Sequence, residues 1–291
     1  MSTDGGNGWM RIAATPERVR IGVLVFANAV AAFAFVWPFL VPSVLGANGP
    51  HQRDAPLILL GVLVCLSAVL FVDLGRGGMG PKAVALIGVL GAAMVALRLP
   101  GFVAGFSAMF IIVLVAGNAF GPGFGFVLGA IGTFASGLFV GGLGPWLPFQ
   151  MAAIGWVGLG AGLLPGAGTS WRVRLAALAA YGFVVGYAFG IVMNLWSWPF
   201  TAAGSELSWV PQQSLADNVE HYVAYYAATS ATWDTFRAIG NAAMVVLLGR
   251  PLLGSLDRAA RRMRLDIHTP EFVEPLPVQD AASDDGAVAL R

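Results

Sequence analysis

The sequence predicts an all-α integral membrane protein built as a helical bundle, and composition is the first reason. Of the 291 residues, 57% are hydrophobic and only 11% are charged, whereas a soluble domain has about 25% charged residues. The apolar residues form long runs without the alternation that is typical of barrel strands. These features exclude an ordinary soluble enzyme and a disordered chain, and a single cysteine, Cys65, excludes a disulfide scaffold.

Eight apolar runs predict about eight transmembrane helices, because a spanning helix needs about 20 predominantly apolar residues. The first run is longer than the roughly 7–15 residues of a signal-peptide core, so an uncleaved helix is expected. The fourth and fifth runs are separated only by a short turn at Gly121-Pro122. The eight runs are 21–45, 56–73, 82–98, 105–119, 121–141, 147–165, 173–197 and 224–250.

The basic residues predict that both ends of the chain are cytoplasmic, because cytoplasmic loops carry the excess of Lys and Arg. With eight spans and an inner N-terminus, 13 basic residues fall on the cytoplasmic side and only Arg53 and Arg98 on the outer side. The chain is therefore expected to be a multi-pass protein of the inner (plasma) membrane. A net charge of +1 gives no reason to expect a nucleic-acid partner.

Small residues recur every four positions in several runs, where they allow close approach of helix backbones. Gly88, Ala92 and Ala96 form such a stripe in the third run. Spacing alone leaves open whether this stripe packs inside the bundle or faces another membrane protein. The stripes expected to pack internally are Gly121, Gly125, Gly129, Thr133, Gly137 and Gly141, then Gly158, Gly162 and Gly166, then Gly182, Gly186 and Gly190.

Two ionisable residues lie well inside an apolar run, where charge is costly and needs a partner or a cavity. Asp234 and Arg237 are three positions apart in the last run, so they can pair on one helix face. At about 100° per residue, Tyr226, Ser230 and Trp233 share their arc. The alternatives are a buried ion pair that holds the helix to its neighbours and the wall of a polar ligand cavity. The same arc includes Asn241, and the opposite side is expected to carry Phe236, Ala238 and Val245.

Further polar and aromatic residues are predicted at the outer ends of other helices. They are Arg98, Trp146, Gln150, Asn194 and Trp196. A concave site walled by aromatic residues with a few polar groups is typical of small-molecule binding. Tryptophans at a membrane boundary are also common interfacial anchors, and that alternative stays open.

Several chemistries have no residues to support them in this sequence. The histidines, His51, His221 and His268, lie outside the apolar runs and show no metal-ligand spacing. No phosphate-cradling loop of the Walker type is present. No catalytic residue, metal or cofactor is therefore expected. Transport against a gradient would need a partner that hydrolyses ATP, or an ion gradient.

Two stretches of the sequence resemble the substrate-binding (S) component of an energy-coupling factor (ECF) transporter, most closely the actinobacterial type. The first runs from Ala119 to Gly125 and continues from Gly141 to Met151, with Gly144-Pro145-Trp146-Leu147-Pro148-Phe149-Gln150 at its centre. The second is Trp233-Asp234-Thr235-Phe236-Arg237-Ala238-Ile239-Gly240-Asn241 in the last run. The resemblance covers about 82–250.

The resemblance implies a six-helix membrane core at 82–250. The apolar runs and charges place a cytoplasmic leader at 1–20 and two additional helices at 21–81 before this core. The segment 251–291 would be a cytoplasmic tail, basic and then acidic, and disordered. The resemblance also implies capture of a vitamin or related micronutrient near the outer face, with a cobalamin-like ligand favoured. It further implies assembly with a transmembrane coupling (T) subunit and two cytoplasmic ATPases. The Gly88, Ala92 and Ala96 stripe would dock on the T subunit, and the implied ligand contacts are Arg98, Trp146, Gln150, Asn194, Trp196 and Trp233.

Two features depart from the usual six-helix pattern. They are the two extra N-terminal helices and a 25-residue outer loop at 199–223. Two alternatives stay open for this loop, a lid over the pocket and a plain surface loop. Two other functions remain as rivals: a membrane-embedded enzyme acting on a lipid or isoprenoid, and a scaffold of the cell envelope that transports nothing.

Overall fold

Every element of secondary structure described in the computed structural model is a helix, as the sequence predicts. The described residues are 16–40, 81–98 and 107–267 without 203 and 212, together with four residues of the second predicted span, Leu57, Leu60, Gly61 and Val64. The predicted leader before residue 16, most of the span 56–73 and the end of the tail lie outside the described residues.

The described residues form eight α-helices, numbered here in chain order. A five-residue π-helical turn, Gly137–Gly141, extends the fourth. The helices are α1 (Pro16–Leu40), α2 (Pro81–Arg98), α3 (Met109–Phe120), α4 (Pro122–Ser136), α5 (Leu147–Leu163), α6 (Trp171–Thr201), α7 (Leu215–Thr229) and α8 (Ala231–Ile267).

Three of the described helical stretches are long and apolar enough to cross a membrane. They are Pro122–Gly141, Trp171–Thr201 and Ala231–Arg262, and α3 and α5 are shorter apolar helices. Apolar helices of this length support a membrane protein. The number of eight spans and the cytoplasmic position of both ends stay predictions.

Helix α3 forms the centre of the bundle, and its residues from Met109 to Asn118 are all buried. A helix that is apolar on every side has to be covered by other elements, and α2, α4, α5 and α8 pack around this one. Its 12 residues make it only about 18 Å long. The chain reverses at Gly121, whose φ of 94° favours glycine, and Pro122 then begins α4. The two runs around Gly121 are thus separate helices, as predicted.

The glycine stripes of α4 and α5 face each other at backbone contact. A Cβ on Gly158 would overlap the carbonyl oxygen of Gly125, and one on Gly125 would overlap that of Gly158. A Cβ on Gly129 would lie 2.5 Å from the carbonyl oxygen of Ile154. Internal packing of these stripes is therefore confirmed, and it brings two backbones together in antiparallel orientation.

The stripe on α2 behaves differently, because Gly88, Ala92 and Ala96 are exposed. Helix α2 buries the opposite set, which includes Ile87 and Met94, against α3 and α4. Among the described residues nothing lies within 4 Å of a Cβ placed on Gly88. Of the two alternatives for this stripe, internal packing within the described part of the bundle is excluded.

Helix α1 packs on α5 and α6 rather than standing apart from the core. Phe35 lies edge-on to Phe149 with ring centroids 5.0 Å apart, and Trp156 Nε1 donates to Asn28 Oδ1 at 2.5 Å. A polar side chain inside an apolar helix is thereby given a partner. The first additional helix is thus part of the bundle.

The last predicted span differs most from the structure. The chain breaks at Ser230, between α7 and α8, and α8 continues to Ile267 instead of ending at 250. The predicted outer loop 199–223 is correspondingly shorter, because α6 reaches Thr201 and α7 already begins at Leu215. Helix α7 is too polar to be found from hydropathy, and its start is capped by Ser214, whose Oγ accepts from the Asp217 backbone N–H at 3.2 Å.

Candidate functional site

One end of the bundle gathers most of the polar residues that the sequence selects. Helices α2 and α4 end there, and α5 begins there. Arg98 at the end of α2 joins them, because it donates to Ser136 at the end of α4 and to Gln150 near the start of α5. Trp196 near the end of α6 lies at the same end, because its ring centroid is 6.0 Å from that of Phe149 in the first turn of α5. We call this the Arg98 end. The sequence-based orientation predicts that it is the outer end.

The Arg98 cluster consists of Arg98, Ser136 and Gln150, from three different helices. Arg98 Nη1 donates to Ser136 Oγ at 2.6 Å, and Nη2 donates to Gln150 Oε1 at 3.3 Å. A Cβ on Gly141 would lie 2.8 Å from Nη2, so the guanidinium rests against the backbone of the π-helical turn. Two of the predicted site residues, Arg98 and Gln150, are thus brought together. Ser136 was not predicted.

The partly buried charge of Arg98 has only neutral acceptors in this cluster. Among the described residues the salt bridges are Arg174–Asp257 and Asp234–Arg237, and neither involves Arg98. The carbonyl groups at the end of α2 favour a cation, but by only about 0.3–1 kcal/mol. Within the described part of the chain, no carboxylate offsets this charge.

Trp146 and Trp196 flank the same region as packed side chains. Trp146 immediately precedes α5, and its ring occupies the space that a Cβ on Gly144 would need. Trp196 packs with Phe149 on the face of the bundle that α1 covers. Both indoles are partly buried. They lie at the end where the sequence predicts them, and a role in ligand binding stays a prediction.

A second group of polar residues, the Asp234 cluster, joins α6, α7 and α8 close to the same end. It consists of Asp234, Arg237 and Tyr226. The Asp234 carboxylate is 1% exposed and pairs with Arg237 Nη1, while Tyr226 Oη donates to its Oδ2 at 2.9 Å. Arg237 also lies over the Phe189 ring, 5.0 Å from its centroid. The predicted pairing of Asp234 with Arg237 is confirmed.

Close packing of α6 on α8 explains why this carboxylate is so well buried. Gly190 leaves the space that Asp234 fills, and Gly186 lies against the backbone of Ala238. Gly186 also offers its carbonyl oxygen to Arg237 Nη1 at 3.3 Å. With all these partners the ion pair is complete without a ligand. The geometry favours the first alternative from the sequence, a pair that holds the helices together.

Asn194 and Ser230 form a reciprocal hydrogen-bonded pair between α6 and the break before α8. Asn194 Nδ2 donates to Ser230 Oγ at 2.8 Å, and Ser230 Oγ lies 3.1 Å from Asn194 Oδ1. The Ser230 carbonyl also accepts from the Asp234 backbone N–H at 2.9 Å. Two predicted residues are again neighbours, and they fix the place where α7 turns into α8.

The predicted inward arc of the last helix is partly wrong. Trp233 is 52% exposed and Phe236 50% exposed, whereas Ala238 and Val245 are fully buried. Asp234, Ala238, Asn241 and Val245 form the buried face. Trp233 lies about 100° from Asp234 around α8, and α6 packs on the side that carries Ala238, so the buried face is turned away from Trp233. Trp233 therefore does not join either cluster in this structure.

The described residues between 202 and 229, which leave out 203 and 212, pack over the end of α6. Trp198 Nε1 donates to the Leu207 carbonyl at 2.7 Å, and the Tyr222 hydroxyl donates to the Ile191 carbonyl at 2.5 Å. Burial raises the pKa of the Tyr222 hydroxyl, so this phenol stays protonated and remains a donor at neutral pH. The Trp198 ring contacts Tyr222, with centroids 5.0 Å apart. The segment is well packed, and its role as a lid stays a prediction.

The opposite end of the bundle holds a third cluster that the sequence did not reveal. Arg174 is 2% exposed, and its Nη1 and Nη2 donate to the two Asp257 oxygens at 2.6 and 3.0 Å. Its Nε donates to Asn118 Oδ1 at 2.7 Å. We call these three residues the Arg174 cluster. In the sequence, Asn118 lies inside an apolar run and Asp257 lies within the basic stretch 250–264. Neither position indicates which residue it contacts.

The described residues contain no group of three or more His, Cys, Asp or Glu side chains that could hold a metal ion. Comparisons with protein-family models, with curated proteins and with solved structures find no significant match for this chain. The three clusters and the exposed stripe on α2 are therefore the observations from which a function has to be inferred.

Proposed function

We propose that this chain is the substrate-capture (S) subunit of an ECF-type importer. In this proposal it is a multi-pass protein of the plasma membrane with cytoplasmic ends. It binds a vitamin or related micronutrient at the Arg98 end, which faces outward, and partner ATPases provide the energy for transport. The resemblance favours a cobalamin-like ligand among the vitamins. The chain itself is proposed to be neither an enzyme nor a carrier of a cofactor.

The observation that carries this proposal is a difference between the polar clusters. Within the described residues, the Asp234 and Arg174 clusters pair their charges with opposite charges, and the Arg98 cluster does not. The Arg98 end holds a cation with neutral hydrogen-bond partners, and the same end holds Trp146, immediately before α5, and Trp196, which packs on Phe149. Aromatic surface together with a few oriented polar groups is typical of small-molecule sites. The Asp234 and Arg174 clusters have internal partners for their charges, so we assign them to the framework.

The exposed stripe on α2 supports the partner side of the proposal. Gly88, Ala92 and Ala96 present a smooth surface, and their helix uses its other face for the bundle. Small residues allow another helix to approach closely within a membrane. An S subunit needs such a surface, because its proposed T subunit is a membrane protein.

Ligand binding is tested first with the purified full-length chain in detergent. Native mass spectrometry and thermal-shift measurements against a panel of vitamins should identify one that binds saturably with a nanomolar Kd. Gln150→Ala should weaken that binding, and Glu220→Gln, an exposed change on α7, should not. Chemical turnover of a lipid by the purified chain would instead support an enzyme, and the absence of any saturable ligand would support a scaffold.

Docking is tested separately by co-expression with a T subunit and ATPases from the same cell. Ala92→Leu adds bulk to the stripe, so it should reduce the amount of T subunit that co-purifies while vitamin binding is unchanged. Ala180→Leu on α6 is the matched control, because Ala180 is also exposed. Equal co-purification of both variants would contradict docking through this stripe.

A further inference from the structure

We propose that the ligand presents an anionic group, a carboxylate or a phosphate, to Arg98. This inference rests on the proposed function and adds the chemical class of the ligand. The anionic group would complete the Arg98 cluster, with the guanidinium of Arg98 as its recognition element. Ser136 and Gln150 would act as positioning residues that hold the guanidinium in place.

The first argument is the charge left over in the cluster. A guanidinium has five N–H donors and no acceptor. Ser136 Oγ and Gln150 Oε1 accept from its two Nη atoms, and within the described part of the chain no carboxylate pairs with it. Placing a charge in a partly buried site is unfavourable unless an opposite charge is near. An anionic ligand supplies that opposite charge.

The second argument is that the surrounding helices cannot supply it. Between Asp73 and Glu206 the sequence contains no Asp or Glu, so α2, α3, α4, α5 and α6 carry no carboxylate at all. Asp234, the buried carboxylate of α8 nearest this end, is already bound by Arg237 and Tyr226. Glu206 is exposed, as are Asp217 and Glu220 on α7. Within the described residues, Arg98 therefore has no carboxylate available to it.

The third argument is the Arg174 cluster, which shows how this fold completes a buried arginine. Asp257 accepts two hydrogen bonds from the two Nη atoms of Arg174, and Asn118 accepts one from Nε. That bidentate geometry suits planar carboxylates and phosphates and is the reason arginine recognises them. Arg98 has neutral acceptors, as Arg174 has in Asn118, but within the described residues it has no anion in the place of Asp257.

The fourth argument is that the guanidinium is held in place and still accessible. Ser136 and Gln150 fix its two Nη atoms from α4 and α5, and Gly141 gives it room against the π-helical turn. Arg98 remains partly exposed. A donor group that is oriented before the ligand arrives loses little entropy on binding.

The test uses pairs of compounds that differ in one anionic group, with the full chain in an uncharged maltoside detergent that contains no phosphate. The carboxylate arm compares nicotinate with nicotinamide, pantothenate with pantothenol, and biotin with its amide. The phosphate arm compares pyridoxal phosphate with pyridoxal, and riboflavin 5′-phosphate with riboflavin. Kd values are measured by native mass spectrometry and isothermal titration for the wild type, Arg98→Gln and the control Arg172→Gln, which changes an exposed arginine at the Arg174 end.

We expect the anionic member of one pair to bind about 10- to 100-fold more tightly than its neutral analogue, as for hydrogen bonds to charged groups. Arg98→Gln should remove this preference by weakening the anionic compound and leaving the neutral one within about twofold, whereas Arg172→Gln should keep it. Arg98→Lys should retain only part of the preference, because it keeps the charge but loses the planar fork.

Four results would overturn the inference. If both members of every pair bind equally, or if Arg98→Gln weakens both to the same extent, the chain is still a vitamin binder but Arg98 does not recognise an anion. If neither these compounds nor any vitamin of the wider panel binds, the proposed function fails and the inference fails with it. If only phosphatidylglycerol in nanodiscs raises the melting temperature, in the wild type but not in Arg98→Gln, the arginine serves a lipid phosphate.

Discussion

The two ends of the bundle use a buried or partly buried arginine in opposite ways. Arg174 is enclosed, and its guanidinium is completed by a bidentate carboxylate and an amide oxygen. Arg98 is partly exposed, and its guanidinium has a hydroxyl and an amide oxygen but no carboxylate. The residue type, the helical setting and the apolar surroundings are similar. The difference is whether the chain itself supplies the opposite charge.

The comparison separates framework from candidate site. A buried ion pair with all partners present ties helices together, because removal of either partner leaves an uncompensated charge. A cation without such a partner contributes little to the stability of the free protein, and it can exchange water for a ligand. Four experiments test this distinction, and they are ordered by the largest loss of stability that each is expected to show.

The largest loss is expected for Arg174→Met. This change leaves Asp257 buried without its counter-charge, so the free energy of unfolding should fall by about 3–5 kcal/mol. Unfolding in mixed micelles, followed by tryptophan fluorescence, measures the change. The double variant Arg174→Met/Asp257→Leu should recover most of the stability, because it replaces the pair by apolar side chains. An equal loss in the double variant would show that packing, and not charge, makes the Arg174 cluster important.

A smaller loss is expected for Asp234→Asn. Arg237 would lose its counter-charge but keep the Gly186 carbonyl and the Phe189 ring, and it is less buried than Arg174. The free energy of unfolding should fall by about 2 kcal/mol, the range for hydrogen bonds to charged groups. Glu220→Gln, an exposed change on α7, is the control in the same unfolding measurement. Equal stability of the two variants would argue against the pairing.

A pair of glycine variants separates packing from charge. Gly158→Ala should lower the free energy of unfolding by about 1–3 kcal/mol, because its Cβ would overlap the Gly125 backbone. Gly88→Ala should leave it unchanged or raise it by up to about 1 kcal/mol, because its Cβ meets open space and alanine favours a helix. Melting temperatures of the isolated chain check both. A similar loss at both sites would contradict the contrast between α5 and α2.

The smallest effect is expected for Arg98→Met in the absence of a ligand. Since no described carboxylate depends on Arg98, the free energy of unfolding should change by less than about 0.5 kcal/mol or should rise. Thermal unfolding of the variant beside Arg174→Met gives the direct comparison. A loss as large as that of Arg174→Met would mean that the chain holds a carboxylate partner for Arg98. Asp54→Asn, a change in the predicted outer loop between the first two runs, would then test whether Asp54 is that partner.

Part of the fold could be predicted from local sequence, and part could not. The apolar runs correctly indicate helices, and the turn at Gly121-Pro122 correctly separates α3 from α4. Helix α7 could not be found in this way, because its many polar residues keep its hydropathy low. The buried face of α8 is set by the contact of α6 with Ala238. That tertiary contact leaves Trp233 on the exposed side.

The site shows the same division. The sequence correctly selects Arg98 and Gln150 for one end of the bundle, and Asp234 and Arg237 as a pair, since three positions along a helix bring side chains together. It gives no sign of the contact between Arg174 and Asp257, 83 positions apart. Such a contact depends on how α6 and α8 pack, and the packing depends on glycines that lie on two different helices.

The sequence by itself predicted a membrane protein made of helices. Few charges and long apolar runs favour a lipid surrounding, and there a helix satisfies its own backbone hydrogen bonds. Only the tertiary structure decided which charges are neutralised within the chain. Electrostatic compensation is a property of distances between helices, and Asp257 completes Arg174 because α8 extends far enough to reach it. No carboxylate from the five helices α2 to α6 can do the same for Arg98.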